Sequence, residues 1–241
     1  MRFYGKSSRG MVRGNNEDFF HVPLKEDDAR FFIVADGMGG VNAGEVASSL
    51  AVASAVTFVE ENYTSACDVA LLLRQALNHA NKAVFNTAKA DKTYENMGTT
   101  LVCALIRDNL MFVANVGDSR CYKLSGEAFE QVSIDHSFVQ EMIDKGMLSR
   151  DEANNHPNKN LITRAIGVDR FVRVDVFCKP FNKGDRILLT SDGLTTMVKS
   201  EEIEAIIKKE ESCENIVREL IDKANEAGGR DNITAVLIVN D

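Results

Sequence analysis

The sequence predicts an α+β fold in which mainly antiparallel strands form packed sheets between layers of helices. Apolar runs of strand length are joined by short turns, which favours antiparallel pairing. The helical stretches come as consecutive pairs, two after the early strands and two before the last strand. This order argues against a doubly wound parallel sheet, and it favours a helix layer on each side of the sheets.

Two hairpins account for four of the predicted strands. Residues 107–109 and 125–126 are short turns between strand-length runs, a pattern typical of hairpins. The other strands are predicted from apolar runs alone. In chain order, the predicted strands are residues 31–35, 99–106, 110–116, 120–124, 129–134, 172–177, 186–190 and 233–239.

Helices are predicted where apolar residues recur every three or four positions. The clearest stripe lies in residues 68–89 and includes Leu73, Leu77 and Val84. Asn42 and Glu45 resemble a capping box at the start of the first helix. The predicted helices are residues 43–61, 68–89, 137–145, 149–155, 201–209 and 213–226.

Residues 135–167 form a polar insert between two predicted strands. Its two short helical stretches, residues 137–145 and 149–155, are followed by His156-Pro157, which stops the second. A polar insert of this length between strands suits a lid over a site. We therefore expect a flap here. His136 and His156 are either structural residues or groups that touch a substrate.

Composition narrows the class of protein. Of the 241 residues, 44% are hydrophobic and 27% charged, which is typical of a soluble globular protein. No repeat, low-complexity stretch or linker divides the chain, so we predict one domain over residues 1–241. The net charge of −8 argues against nucleic acid as the main partner.

The cellular location is predicted from the first ten residues, the length of the apolar segments and the spacing of the cysteines. The first ten residues lack the apolar stretch of a signal peptide, and no segment is judged long enough to span a bilayer. The five cysteines are scattered and free of CxxC spacing, as in proteins that keep their thiols reduced. We therefore expect a cytoplasmic protein without a membrane partner.

Carboxylate motifs recur along the chain and point to metal chemistry. They read NNED (15–18), VADGMGG (34–40), VGDSR (116–120), SDG (191–193) and GGRDN (228–232). Three of them place an aspartate where a strand-like run gives way to glycine. Several such strand ends at one edge of a sheet would gather oxygen ligands for small divalent cations. A pair of these cations is a known means of hydrolysing phosphate esters.

The best ligand candidates are Asp36, Asp192 and Asp231, because each lies at a strand boundary beside glycine or asparagine. Gly37 is a candidate through its backbone carbonyl, since the main chain of a glycine can approach an ion closely. Arg13 is a candidate for orienting phosphate, because guanidinium matches phosphoryl oxygens in a bidentate way. Taken singly, each has a plain alternative as a turn or surface residue.

Other hydrolytic chemistries lack their signatures. No GxSxG motif occurs, and no cysteine is accompanied by the base that a thiol phosphatase needs. The glycine-rich stretch 37–44 is not a phosphate-binding P-loop, because no GK[ST] follows it.

The ordered motifs carry a family resemblance. RGNNED, VADGMGG, MGTTL, VGDSRCY, DHS, HPNKNLITRAIG, LLTSDGLT and GGRDNITAVLI occur in that order between about Gly10 and Val239. Their set resembles the PPM family of metal-dependent serine/threonine protein phosphatases, the type 2C enzymes, and is most similar to compact bacterial members. The resemblance implies a four-layer α-β-β-α sandwich and a flap near residues 135–167. It also implies hydrolysis of phosphoserine and phosphothreonine in proteins by direct attack of a metal-bridging water.

The same resemblance implies the ligands of two Mn²⁺ or Mg²⁺ ions. Asp36 matches the carboxylate that bridges them. Gly37 matches the carbonyl ligand of one ion, and Asp192 with Asp231 matches the ligands of the other. Asp118 matches the aspartate that, with Asp192, holds a weaker third ion in bacterial members.

Three further positions match family residues that lie around the ions. Glu17 and Asp18 match acids that hydrogen-bond metal-bound waters, and Arg13 matches the phosphate-binding arginine. Arg13, Asp36 and Asp192 are thus the predicted catalytic residues. Met38 departs from animal-type members, which have a histidine there as general acid. Because methionine cannot donate a proton, the resemblance leaves the general acid unassigned.

Two other functions remain open at this stage. A regulatory pseudophosphatase would bind phosphoproteins without hydrolysing them, although such proteins usually lose a metal ligand. A metal-dependent hydrolase of nucleotides or sugar phosphates would use the same carboxylates. For the phosphatase, the resemblance adds a cognate serine/threonine kinase as an expected partner.

Overall fold

The computed structural model describes residues 1–23, 30–39, 43–154 and 156–241. Its strands are β1 (Arg2–Ser8), β2 (Asp18–His21), β3 (Arg30–Met38), β4 (Gly98–Thr99), β5 (Leu101–Arg107), β6 (Leu110–Val116), β7 (Arg120–Ser125), β8 (Ala128–Gln131), β9 (Asp175–Pro180), β10 (Arg186–Thr190) and β11 (Ile233–Val239). Its α-helices are α1 (Ala43–Asn62), α2 (Val69–Ala90), α3 (Phe138–Asp144), α4 (Arg150–Asn154), α5 (Asp192–Thr195), α6 (Ser200–Ile207) and α7 (Cys213–Glu226).

The strands form two antiparallel sheets. One has the order β1-β11-β10-β7-β8, and the other has the order β2-β3-β5-β6-β9 with β4 paired to β3. Helices α1 and α2 pack on the outer face of the second sheet, and α6 and α7 pack on the outer face of the first. A third buried cluster lies between the sheets. The predicted four-layer α-β-β-α sandwich is confirmed.

Strand β3 shows how the sequence places the site. Phe31, Ile33 and Ala35 face the helices, and Phe32 and Val34 face the other sheet. All five are at most 3% exposed, so the continuous apolar run buries both faces of the strand. Side chains alternate along a strand. Asp36, the aspartate of VADG and the next even-numbered residue, therefore continues the face between the two sheets.

Most predicted elements agree with the structure to within a few residues. The largest differences are at 129–134, of which only the first half is strand, and at 172–177, where the strand begins at Asp175. Strands β1 and β2 and the short helix α5 were not predicted. The proposed cap at Asn42 lies outside the described residues, as do Gly40 and the end of the predicted helix at Asn155.

The expectation about membrane spans needs a correction. Helix α1 is long and apolar enough, by length and composition, to cross a bilayer. Its buried residues include Ala47, Ala51 and Ala55, which pack in the cluster shared with α2 and β3. Small residues at this spacing let α1 lie close to its neighbours, as in the core helix of a globular protein.

The flap has the predicted helical character. It contains α3, whose cap Ser137 accepts a hydrogen bond from Gln140 N–H, and α4. Two isolated bridges fix its ends: one between Ser137 and Ile162 joins its first and later parts, and one between Thr99 and Ile166 joins its later part to the body. The flap base is thus tied to β4, beside the end of β3.

Candidate active site

Asp36 lies near the end of β3, where hydrogen bonds fix its backbone. Its N–H donates to Thr100 Oγ1 at 3.0 Å, and its carbonyl accepts from Thr99 Oγ1 at 2.9 Å and from Thr100 N–H at 2.8 Å. Directly across the strand pair, Asp18 of β2 is its register partner. Two carboxylates therefore lie opposite each other at one sheet end.

Gly37 is enclosed by backbone on both sides. Its N–H donates to Glu17 O at 3.1 Å, and a Cβ added at this position would lie 2.1 Å from Gly44 O and 2.6 Å from Glu17 O. No side chain fits there without moving main chain. Glycine at this point lets the NNED loop, β3 and the start of α1 meet.

Asp18 is 6% exposed and is held through one oxygen. Its Oδ2 accepts from Ser191 Oγ at 2.8 Å and from Thr234 Oγ1 at 2.6 Å. Its Oδ1 is buried and has no hydrogen-bond partner. Because buried carboxylate oxygens are almost always paired, this oxygen is available to a water or an ion's hydration shell.

Asp192 is the first residue of α5, immediately after β10. Its neighbour Ser191 accepts a hydrogen bond from Thr234 N–H at 2.9 Å, which joins the end of β10 to β11. A Cβ on Gly193 would lie 1.9 Å from Asn232 O, so this turn also requires glycine. The SDG motif thus places Asp192 beside the GGRDN motif.

Asn232 connects the GGRDN motif to the N-terminal loop. Its Oδ1 accepts from Glu17 N–H at 2.8 Å, and its Nδ2 donates to Arg9 O and Asn15 O at 2.9 and 2.8 Å. The preceding Asp231 pairs with the Arg13 guanidinium at 2.8 Å. Two motifs more than 200 residues apart in sequence therefore form one side of the site.

The carboxylates are close enough to perturb one another. Burial raises the pKa of Asp36 well above its ordinary value, and Asp18, Asp192, Asp118 and Asp231 raise it further. Burial also raises the pKa of Asp18 to about 7. The hydrogen bonds from Thr234 and Ser191 lower this pKa, and the nearby Asp192 and Asp231 raise it.

Asp118 and Asp192 belong to the same electrostatic group. Burial and the nearby Asp192 raise the pKa of Asp118 to about 7. Burial and Asp231 raise the pKa of Asp192, while a hydrogen bond with Asp36 acts in the opposite direction. Mutual repulsion of this kind makes the site attractive to cations.

The donor set fits small hydrated cations. Within the described ranges, no three His, Cys, Asp or Glu side chains are arranged as a compact metal-ligating group. Mg²⁺-like ions do not require such a group, because they keep several waters and take only one or two carboxylates directly. The unpaired Asp18 Oδ1 and the enclosed Gly37 backbone agree with such a hydrated site.

Asp118 follows a tight turn that a histidine supports. Gly117, with φ of 106°, donates its N–H to His136 Nδ1 at 3.1 Å. His136 Nε2 lies 3.2 Å from Asp175 Oδ2, and Arg164 Nη1 lies 3.1 Å from Asp175 Oδ1. Thus the turn before Asp118 is connected to the flap and to β9. His136 is 4% exposed and serves structure rather than substrate contact.

Met38 lies at an apolar contact between β3 and the flap. A Cβ on Gly98 would meet both Met38 Cε and Val168 Cγ2 at 2.8 Å, so these two side chains converge on the same glycine. The position that carries histidine in animal-type members therefore holds a packing contact here.

Sequence reasoning missed the short polar residues that hold the carboxylates. They are Thr99, Thr100, Ser191, Asn232 and Thr234. Each lies inside one of the quoted motifs, and Ser191, Asn232 and Thr234 are within three residues of a predicted ligand. The signal was present, but a single Thr or Ser has no pattern that distinguishes such a role from an exposed one.

Comparisons with known proteins show which family the chain belongs to. The family described as Protein phosphatase 2C matches residues 8–237. The serine/threonine phosphatase stp of Listeria monocytogenes is 40% identical over 238 residues, covering 98% of this chain and 94% of the relative.

Two solved structures have the same architecture. The serine/threonine phosphatase Stp1 from Staphylococcus aureus matches with a TM-score of 0.93 at 34% identity, covering 99% of this chain and 94% of that one. The catalytic domain of PstP in complex with two manganese ions matches with a TM-score of 0.88 at 35% identity, covering 100% and 98%. On the family match and these likenesses, the chain belongs to the protein phosphatase 2C family and is a serine/threonine protein phosphatase.

Proposed function

We propose that the carboxylate group around Asp36 is where this phosphatase hydrolyses phosphoserine and phosphothreonine in proteins, and that it acts with two Mn²⁺ or Mg²⁺ ions. The observation that supports this most strongly is that aspartates from distant segments gather around Asp36: Asp18 is its register partner, and Asp192, Asp118 and Asp231 are close enough to raise its pKa. Such repulsion among partly buried carboxylates is costly unless cations offset it. The two manganese ions in the PstP structure favour the same assignment.

The residue roles are those that the family resemblance implies, and the positions described above support them. Asp36, central among the carboxylates, would bridge two ions, with the Gly37 carbonyl on one and Asp192 with Asp231 on the other. Asp118 lies next to Asp192 and, with it, would hold a weaker third ion. Asp18 and Glu17 would orient water molecules of the ions. For Asp18, the free Oδ1 supports this role.

The ions, when bound, supply charge neutralisation for the phosphoryl oxygens and a water acidic enough to attack near neutral pH. The chain's own residues position the substrate. Arg13 pairs with Asp231 and is half exposed, so its guanidinium can turn toward a phosphoryl group. Thr99 and Thr100 keep the Asp36 backbone from moving. The Met38 side chain cannot protonate the leaving alkoxide, because a thioether carries no proton to donate.

The cellular setting is also a proposal. All five cysteines are free, which suits the reducing cytoplasm. A serine/threonine kinase must supply the phosphorylated proteins that this enzyme consumes, so a cognate kinase is the expected functional partner. We propose no membrane or nucleic-acid partner, in keeping with the net charge of −8.

Asp36→Asn and Asp192→Asn test the assignment. Each should lower hydrolysis of a phosphothreonine peptide in Mn²⁺ by more than about 100-fold, because even changes around metal ligands cost 10–100-fold. Asp222→Asn, on the exposed face of α7, is the matched control and should retain wild-type rates.

Three outcomes would contradict the proposal. Wild-type turnover in Asp36→Asn would remove the carboxylate group from the reaction. A wild-type enzyme that binds the phosphopeptide without Mn²⁺-dependent turnover would be a pseudophosphatase. Faster hydrolysis of a nucleotide than of the phosphopeptide would indicate a small-molecule phosphate hydrolase.

A further inference from the structure

A groove of about 520 Å³ runs along β9, away from the carboxylate group. It is lined by Arg74 of α2 and by the consecutive residues 173–177. In the described part of the chain, β9 pairs only with β6 and is the last strand of its sheet. The groove therefore offers the unpaired backbone edge of a strand, which is a template for an extended peptide.

The groove has more positive than negative charge. Its one carboxylate, Asp175, already pairs with Arg164 at 3.1 Å and with Arg173 at 3.5 Å, and His136 lies beside it. Among described residues, Arg74 forms no ion pair. Two guanidinium groups thus share one carboxylate and a third, that of Arg74, lines the same groove, in a chain whose net charge is −8. The local surplus favours an anionic occupant.

The strand register relates the groove to the site. Val34 of β3 pairs with Val102, Val102 with Asn115, and Asn115 with Asp175. Asp175 therefore lies in the same cross-strand row as Val34. That row is two residues before Asp36, at the same end of the sheet. With strands about 4.8 Å apart, three strand spacings separate Asp175 from Val34 by about 14 Å, and the two-residue offset along β3 makes the distance to Asp36 roughly 16 Å. An extended chain covers that distance in roughly five residues.

We propose that this groove binds an acidic segment of the phosphoprotein substrate, extended along β9, about five residues from the phosphorylated residue. The inference rests on the proposed function of the carboxylate group, since it concerns the same substrate. Backbone pairing to β9 would supply affinity, and Arg74 and Arg173 would select acidic side chains. The enzyme would thereby favour phosphoproteins with acidic flanks.

The test compares two phosphothreonine peptides that differ only in carrying Glu or Lys about five residues from the phosphothreonine, on either side. Wild-type enzyme should have a kcat/KM several-fold higher for one Glu peptide, mainly through KM. The double variant Arg74→Gln/Arg173→Gln should lose that preference, a change of roughly 3–10-fold for two exposed charges. Arg218→Gln on α7 is the control and should keep it.

A charge swap makes the test sharper. Arg74→Glu/Arg173→Glu should prefer the Lys peptide. p-Nitrophenyl phosphate, which is too small to reach the groove, should be hydrolysed equally by wild type and all these variants. Failure of wild type to hydrolyse p-nitrophenyl phosphate would instead count against the carboxylate site itself.

The inference is overturned if wild type treats the Glu and Lys peptides alike, or if the variants lose p-nitrophenyl phosphate hydrolysis to the same extent. It is also overturned if light scattering shows a wild-type dimer that the double Gln variant loses, because the groove would then bind a second copy of this chain. Protection of β9 amides from hydrogen exchange by the Glu peptide, and not by the Lys peptide, would support it.

Discussion

At the residue scale, His136 shows how a buried ring fixes the turn before a candidate ligand. Because Gly117 N–H can only donate, His136 Nδ1 must accept and carries no proton. The ring proton of the neutral form is then on Nε2, which lies 3.2 Å from Asp175 Oδ2 and 3.1 Å from Arg164 Nη1; of these two groups only the carboxylate can accept that proton. A second proton on Nδ1 would point at the Gly117 N–H. The fold therefore selects neutral imidazole.

This arrangement predicts a pH dependence of stability. Burial lowers the pKa of His136, with Arg164 acting in the same direction and Asp175 and Asp135 opposing it. The unfolded histidine takes up its proton near pH 6.5, and the folded one only at lower pH. The unfolded state binds more protons in between, so this residue's contribution to the free energy of unfolding should fall as pH drops below about 6.5.

His136→Asn isolates that contribution, because it keeps an acceptor near the Nδ1 position and removes the titrating ring. At neutral pH it should cost about 1–3 kcal/mol, since Asp175 loses a donor. Urea unfolding of both proteins between pH 7.5 and 5.5 measures the effect. The carboxylates with raised pKa act in the opposite direction but are common to both proteins. Equal loss of stability in both on acidification would contradict the prediction.

The sequence predicted which carboxylates lie near one another but not what holds them. Asp36 and Asp192 stand out because a strand run ends in Asp-Gly, a pattern visible in one segment. The contact of Thr234 with Asp18 depends on two strands in different sheets and 216 residues apart. No local pattern encodes a contact of that kind.

At the element scale, the flap is joined to the body by one buried side chain of α2. Asn81 is 1% exposed; its Oδ1 accepts from Gly167 N–H at 2.7 Å, and its Nδ2 donates to Asp169 O at 3.0 Å and to Arg170 O at 3.3 Å. One residue thus satisfies three backbone groups at the end of the flap.

Asn81→Ala should therefore loosen the flap base. We expect a loss of about 1–3 kcal/mol, because buried backbone groups would be left unpaired. Amide hydrogen exchange should speed up in residues 164–171, and kcat/KM for a phosphopeptide should fall. Asn78→Ala removes an exposed bond to Arg74 O on the same helix and is the matched control. The same exchange change in both variants would show that Asn81 has no special role.

Elements were predictable where their apolar pattern is local. α7 has buried residues on one face and matches its predicted bounds. β1 was missed because its RFYGKSS sequence lacks apolar alternation and its residues are only partly buried. Pairing with β11 over seven residues makes it a strand, and that partner lies at the other end of the chain.

At the scale of the whole molecule, cation binding should be coupled to folding. Asp18 and Asp36 lie on strands of one sheet, and Asp192 and Asp231 lie beside β10 and β11 of the other, so ions that offset the repulsion among them stabilise the packed sandwich. At an ion concentration 100 times Kd, the gain is about 2.7 kcal/mol. For a chain of this size, that is a rise in Tm of roughly 5–10 °C.

Thermal unfolding with and without MnCl₂ measures this coupling, and EDTA should reverse the rise. Asp36→Asn should lose most of it, and Asp222→Asn should keep it. A single cooperative transition is also expected if residues 1–241 form one domain, as the sequence predicts. A Tm in Asp36→Asn that rises with Mn²⁺ as much as in wild type would contradict the proposed ligand set.

Asp18 and Asp36 lie opposite each other across β2 and β3, and their repulsion affects how the edge of the sheet assembles. Like charges opposite each other weaken strand pairing, and β2 is only four residues long. The alignment of this short edge strand should then depend on counter-charge, so that chelation frays β2 while the centre of the sheet stays intact. The alignment of β2 and the catalytic activity would then be lost together, so a folded molecule with a misaligned β2 would be inactive.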